Sequence, residues 1–199
     1  FPENCEYYDN LNRILDSIDF DILVSLINKK LDEKMENILN LEFKKKDMDI
    51  ERIRNVIDFQ FGYGAGDALL DGNVKVVKSK NTGMIRNIYL NDQHILSMRN
   101  DGLFTLKLYG GKILHSKFSY PKLRTIVTKE SEEFNLKGKN VFARFIVDMD
   151  PDLRPYDETI IVNESDEFIG VGRTLFTRDE ALKIKKGMVV ELREFEKRE

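Results

Sequence analysis

The run Lys137-Gly-Lys-Asn-Val-Phe-Ala-Arg-Phe-Ile-Val147 decides the fold of this chain, together with Asp152-Leu-Arg-Pro-Tyr-Asp157, Thr159-Ile-Ile-Val162, Asn163-Glu-Ser-Asp166 and Phe168-Ile-Gly-Val171 behind it. Its apolar stretches are short, rich in β-branched and aromatic residues, and separated by Gly, Pro, Asn and Asp. That is the pattern of strands joined by turns. Working outward, Arg124-Thr-Ile-Val-Thr128 reads as a strand before it and Met188-Val-Val-Glu-Leu192 as a closing strand after it. An acid-rich helix fits between Thr128 and Lys137, and a second helix between Val171 and Met188.

Further upstream, Val74–Val77, Ile85–Leu90, His94–Met98 and Leu103–Leu108 alternate as short strands. Asn81-Thr-Gly83, Asn91-Asp92, Asn100-Asp-Gly102 and Gly110-Gly111 supply the turn chemistry between and after them. A helix with Ile50, Ile53, Val56, Ile57 and Phe61 on its apolar side precedes this meander, with Asp47 or Asp49 as its cap. It runs into Phe61-Gly-Tyr-Gly-Ala-Gly-Asp67, where the glycines must bend or loosen the backbone. The charge run Lys44-Lys45-Lys46 marks a boundary with a helical lead-in. There Leu11, Ile14, Leu15 and Ile18, then Ile22, Leu23, Leu26, Ile27 and Leu31, keep helical spacing, with Asp9 or Asn10 and Asp19 as caps. This lead-in is expected to pack on the domain that follows.

A length of 199 residues, with 41% hydrophobic and 34% charged side chains, describes a soluble globular protein of two or three small domains. No apolar run approaches the ~20 residues of a membrane span, and no secretory signal pattern is visible. The single Cys5 allows no internal disulfide and lacks the companions of a structural zinc site, so a cytoplasmic location is expected. The formal charge of −3 hides a segregation. Residues 1–42 carry four basic and ten acidic side chains, residues 43–120 thirteen and eight, and residues 121–199 fifteen and seventeen. A phosphate backbone responds to a local basic surface, which the middle segment would provide.

Few constellations point to chemistry. Gly62, Gly64 and Gly66 follow a helix, whereas a dinucleotide fingerprint needs a strand before its glycines. A helix break or close packing accounts for them, with a backbone contact to RNA phosphate as the functional alternative. His94 and His115, on or near strands, have no ligand or nucleophile at useful spacing and read as packing or surface residues. Asp148, Asp150, Asp152, Asp157 and Glu158 surround a turn without the Gly and bidentate acid of a calcium loop, and read as turn and capping groups. No catalytic residues and no metal set can be assembled. The basic residues Lys75, Lys78, Lys80, Arg86 and Arg99 are more suggestive. They span twenty-five residues with one acid, Asp92; Tyr89 lies among them and Phe104 just beyond. Cations supply phosphate contacts and aromatic faces stack bases, although a solvated face is the bland alternative.

The order and spacing of the last strands resemble a PUA domain, a small RNA-binding β-barrel, with landmarks in Lys137-Gly-Lys-Asn-Val-Phe-Ala143, Arg154-Pro-Tyr-Asp-Glu158 and Val171-Gly-Arg173. Upstream, Asp58-Phe-Gln-Phe-Gly-Tyr-Gly-Ala-Gly-Asp-Ala-Leu-Leu70, Ser79-Lys-Asn-Thr-Gly-Met-Ile-Arg86 and Asp101-Gly-Leu-Phe-Thr-Leu106 resemble the domain preceding that barrel in the archaeal tRNA-guanine transglycosylase family. Archaeosine synthase shares the region. The similarity covers roughly residues 47–195; residues 1–46 match only as an acidic helical lead-in.

The resemblance implies an α+β chain. A helical segment over 1–46 precedes a small α+β domain with antiparallel strands over 47–120 and a PUA-type β-barrel over 121–199. It also implies tRNA as partner, on a route where D-arm guanine is exchanged for 7-cyano-7-deazaguanine toward archaeosine. Carried over by motif, Gly138, Lys139, Asn140 and Val141 would approach the acceptor end, with Gly172 and Arg173 beside them. The family's Asp nucleophile and base and its zinc ligands are missing, and so is the length of its catalytic barrel. Zinc is therefore expected only in a separate catalytic domain or subunit, which becomes a second partner. Association with a second copy stays open. Beginning at Phe1 rather than Met, the chain is expected to be either a piece of a longer enzyme or a separate non-catalytic subunit. The alternatives are the corresponding part of archaeosine synthase and a stand-alone PUA-type RNA-binding protein.

Overall fold

The computed structural model describes residues 20–197, leaving aside the side chains of 20–23 and 41–47. By compactness the chain divides into one unit ending at Glu51 and another beginning at Arg52.

The first described element is a single helix, α1, Phe20–Phe61. Lys44, Lys45 and Lys46 lie inside it and do not end it, and Asp47 and Asp49 occupy interior positions rather than caps. The reason is local: no Gly or Pro occurs between Phe20 and Phe61, and Lys is a good helix former. The expected caps Asp9, Asn10 and Asp19, and the apolar positions from Leu11 to Ile18, lie outside the described residues. Within the first unit Val24, Leu26, Ile27, Leu31, Met35, Ile38 and Leu39 are all exposed.

In the second unit α1 ends where expected, at Gly62 and Gly64, whose φ values of 110° and 85° suit glycine and few other residues. A short helix, α2 (Ala65–Leu69), follows, its first turn held by the Gly66 N–H donating to Asp58 Oδ1 at 2.7 Å. Four strands then form an antiparallel meander in chain order: β1 (Val74–Lys78), β2 (Ile85–Leu90), β3 (Gln93–Met98) and β4 (Phe104–Leu106). Ile53, Ile57 and Phe61 of α1 are buried with Ile88, Leu96, Phe104 and Leu106, so one face of the meander is covered.

The sequence reading of Leu103–Leu108 and Gly110-Gly111 needs correction. The strand stops at Leu106, and the glycine pair lies inside a helix, α3 (Leu108–Lys117), which also carries His115. These glycines serve close packing rather than turning. A Cβ on Gly110 would sit 2.6 Å from the Ile95 carbonyl oxygen, and one on Gly111 would sit 2.2 Å from Val171 Cγ1. The helix therefore lies tightly against β3 on one side and against the C-terminal sheet on the other.

The C-terminal domain contains β5 (Arg124–Val127), α4 (Lys129–Asn135), β6 (Val141–Phe142), β7 (Ile146–Met149), β8 (Glu158–Asn163), β9 (Phe168–Thr174), α5 (Arg178–Lys183) and β10 (Met188–Phe195). The sheet order is β6-β10-β9-β8-β5-β7, with β5 and β8 parallel and the other pairs antiparallel. Its two edge strands, β6 and β7, are consecutive in the chain and joined by one 3-10 turn over Ala143–Phe145. A sheet whose opposite edges are tied by three residues must curl on itself, which gives the expected barrel. Val127, Val141, Met149, Ile161, Ile169, Val189 and Val190 fill it. Thr128 caps α4, and Thr177 with Glu180 forms a capping box on α5. Among the described residues no helix is long and apolar enough to cross a membrane.

Candidate nucleic-acid interface

The meander and the barrel are joined by charge as well as by packing. Arg124 is 1% exposed, and its guanidinium donates to Asp166 Oδ1 at 2.8 Å, the Lys122 carbonyl at 2.7 Å and the His115 carbonyl at 2.8 Å. Burial works against the ionised Asp166, but the Arg124 guanidinium prevails and holds its carboxyl below the usual range. Glu194 of β10 accepts from the Leu108 N–H at the start of α3 and from Lys107 Nζ, each at 2.8 Å. Burial opposes its charge too, yet the Lys107 contact and the backbone donor lower it overall. Lys112 pairs with Glu196. These contacts make one rigid base for surface groups drawn from both domains.

Three groups of cations stand on that base. The first is the β1–β2 hairpin, where Lys75, Lys80 and Arg86 are exposed and Lys78 is half-buried. Lys75 faces Tyr89 across the pair, and the Tyr89 ring stacks on His94 with centroids 4.8 Å apart. Phe104 is fully buried, so it belongs to the core and presents no stacking face. Arg99 lies apart from this hairpin tip in the β3–β4 turn, paired with Asp101 at 2.6 Å.

The second group is the turn into β6. Gly138 has φ +80°, and a Cβ there would meet the Phe195 ring at 3.0 Å. Lys139 is exposed, while the side chain of Val141 is buried in the barrel core. Asn140 Oδ1 accepts from the Leu192 N–H at 3.0 Å, which fixes the turn to β10. On the other side of β10, Leu192 pairs with Gly172 and Glu191 with Arg173. Gly172 is a close-approach site, since its Cβ would lie 2.6 Å from the Glu191 carbonyl oxygen. Gly138, Lys139, Asn140, Val141, Gly172 and Arg173 are thus brought together around one strand. Phe134 and Phe142, each 45% exposed, and the exposed Arg144 lie on the segments flanking this turn.

The third group was not legible as such. Arg99 from the meander and Arg173 and Arg193 from the barrel surround Glu158, whose side chain is 0% exposed. Glu158 Oε2 accepts from the Leu106 N–H at 3.0 Å, another tie between the domains. Burial pushes the Glu158 carboxyl above its ordinary range, partly offset by Arg193, that backbone donor, Arg99 and Arg173. Tyr156, within the Arg-Pro-Tyr-Asp-Glu run, lies beside Arg173. Arg193 sits in a closing strand that carried no motif.

The remaining candidates are structural. Asp148 pairs with Arg178, Asp150 accepts from the Leu123 and Asp152 N–H groups, and Asp157 accepts from the Arg154 N–H. His94 bonds within its own meander, and His115 packs edge-on to Phe168. Among the described residues, no cluster of His, Cys, Asp and Glu has the form of a metal site.

Residues 51–121 match the family described as the patch-forming domain C2 of tRNA-guanine transglycosylase, and residues 124–195 match the PUA domain. A tRNA-guanine(15) transglycosylase from Methanobrevibacter smithii is 41% identical over 197 residues, covering 94% of this chain and 28% of that protein. The enzyme of that name from Methanothermobacter thermautotrophicus is 44% identical over 146 residues, covering 73% of this chain and 22% of that one. Its counterpart from Methanocaldococcus jannaschii is 36% identical over 205 residues, with coverages of 96% and 30%. The chain therefore spans less than a third of the length of these curated relatives. Among solved structures, a hypothetical protein from Pyrococcus horikoshii OT3 superposes with a TM-score of 0.60 at 22% identity. The match covers 74% of this chain and 90% of that one, and it shows a shared fold alone.

Proposed function

With a C2 domain and a PUA domain in sequence, the chain corresponds to the C-terminal part of the archaeal tRNA-guanine(15) transglycosylases, and from this premise we propose that it is the tRNA-gripping portion of such an enzyme. In this reading it holds tRNA while a catalytic portion, in the same protein or a partner subunit, exchanges a D-arm guanine on the route to archaeosine. In this reading zinc would belong to that catalytic portion. The work is cytoplasmic tRNA processing.

The observation that carries the proposal is the fusion of two domains into one basic-rimmed unit. Buried Arg124 and Glu158 and the partly buried Glu194 fix the meander to the barrel, so cations of both domains keep a constant spacing. Constant spacing is what gripping a folded RNA requires, since phosphate contacts set register and orientation. The test is reconstitution. This chain is mixed with a transglycosylase catalytic domain, tRNA transcript and labelled guanine. Incorporation should rise when the chain is added and stay at background with the chain alone. Incorporation by the chain alone, or no effect of adding it to a catalytic domain that needs a tRNA-binding portion, would overturn the reading.

A further inference from the structure

Tyr156 combines an unusual backbone with an exposed ring. It holds φ +73°, a conformation that bulky residues rarely adopt, and yet 58% of it is exposed. Its backbone is pinned on both sides: its N–H donates to the Thr174 carbonyl at 2.7 Å, and its carbonyl accepts from Arg99 Nη1 at 3.4 Å. The Arg173 guanidinium lies over the ring, 5.5 Å from its centroid. A strained, fixed backbone thus presents an aromatic ring backed by a cation, with much of its surface open.

The charges around it are organised from beneath. Arg99 Nη1 and Arg193 Nε both stand 4.0 Å from Glu158 Oε1, too far for hydrogen bonds. That carboxylate oxygen is buried without a hydrogen-bond partner, and so is Arg173 Nε. Unpaired buried polar atoms are costly and cluster where a structure serves something other than its own stability. Here the buried anion keeps three arginines close together that would otherwise repel one another. Glu158 also lines a groove of about 280 Å³ whose other acids are Asp150, Asp152 and Asp157, and whose lining includes none of Tyr156, Arg99, Arg173 and Arg193. Asp157 is already engaged by the Arg154 N–H.

We propose that this seam between the two domains holds one unpaired RNA nucleotide, with its base stacked on Tyr156 and its phosphate on Arg193 and Arg99. Glu158 is a positioning residue for the arginines. The chemistry fits the parts: a ring fixed at its base offers a stacking face to any nucleobase, and guanidinium groups offer forked donors to phosphate. The inference rests on the RNA-gripping reading above and adds a nucleotide site to it.

Tyr156→Gly provides a clean test, because glycine tolerates the left-handed backbone that tyrosine strains to adopt. The variant should melt no lower than the parent, yet bind a fluorescent tRNA transcript at least roughly fivefold more weakly, the lower end of base–aromatic stacking. Its affinity for a fully paired RNA stem of matched length should be unchanged, and Tyr156→Phe should bind like the parent. Arg193→Gln should flatten the log K against log salt slope by roughly 0.7, as expected for one phosphate of a single strand. If Tyr156→Gly and Arg193→Gln both bind tRNA within twofold of a parent that itself binds, the nucleotide site is overturned while the gripping role survives. A Tyr156→Gly chain that melts lower and loses tRNA and paired stem alike would make the tyrosine structural, and would also overturn the site. Failure of the parent to bind tRNA at all would instead strike the gripping role itself.

Discussion

The β1–β2 hairpin and the domain seam both gather cations, but they do so by opposite physical means. Lys75, Lys80 and Arg86 project from one exposed hairpin and come from adjoining stretches of chain. Arg99, Arg173 and Arg193 come from both domains, have side chains only 21–28% exposed, and are gathered around a buried carboxylate. The first arrangement supplies diffuse charge that any polyanion can use. The second supplies charge in a fixed geometry, which can discriminate an RNA's shape. The difference teaches that charge density and charge placement are separate properties, and that only the first is visible in a run of sequence.

The comparison can be broken most severely at its foundation. Arg124→Met removes a guanidinium that satisfies Asp166 and two carbonyls, so it should destabilise the second unit by about 3–5 kcal/mol. A thermal or urea melt checks this; a loss under 1 kcal/mol, as for a surface pair, would mean the seam is not held by that arginine. Gly111→Ala tests the packing half of the seam. The added Cβ meets Val171, and the cost should be about 1–3 kcal/mol, read by the same melt.

The hairpin should behave differently. Lys80→Ala with Arg86→Ala should leave the melt within about 0.5 kcal/mol, as for ordinary surface changes. It should also reduce the salt slope of tRNA binding by about 1–2 units. The loss should be similar for different tRNA sequences, because phosphate contacts position without reading bases. An unchanged slope would reduce those side chains to a solvated face.

The smallest effect is on acid stability. Glu194 titrates below its ordinary value in the folded chain, so its contribution is present above the ordinary glutamate range and fades as pH falls through the folded value. The melting difference between parent and Glu194→Gln should therefore be full near neutrality and shrink below roughly pH 4. A difference that stays constant down to pH 3 would show that its charge contributes nothing.

Much of this was legible in the chain, and the misses have physical causes. The barrel strands were readable because β-branched runs and turn residues alternate from Arg124 to Leu192. The basic stretch of the hairpin was readable because its cations lie close together in sequence. Gly110-Gly111 misled because close packing and turning both call for glycine, and only the partner atoms Ile95 O and Val171 Cγ1 tell them apart. Asp47 and Asp49 misled because an acid after a charge run looks like a helix cap, while lysine also sustains a helix across it. Gly138, Gly172 and Val141 match the family motif, and local packing also calls for those residue types: a positive φ, a close approach to β10, and burial in the core. The seam escaped because its members are distant in sequence. No local pattern announces that Glu158, a turn-flanking acid by its spacing, sits beneath three arginines.

The central claim is that both domains together grip tRNA, and equilibrium binding of the whole chain to a tRNA transcript tests it most directly. With salt raised from about 50 to 200 mM, log K should fall linearly with log salt, with a slope that reports several phosphate contacts. A paired stem lacking the tRNA fold should bind more weakly at every salt concentration. Absence of binding at the lowest salt, or a salt-independent affinity equal for tRNA and stem, would contradict the account.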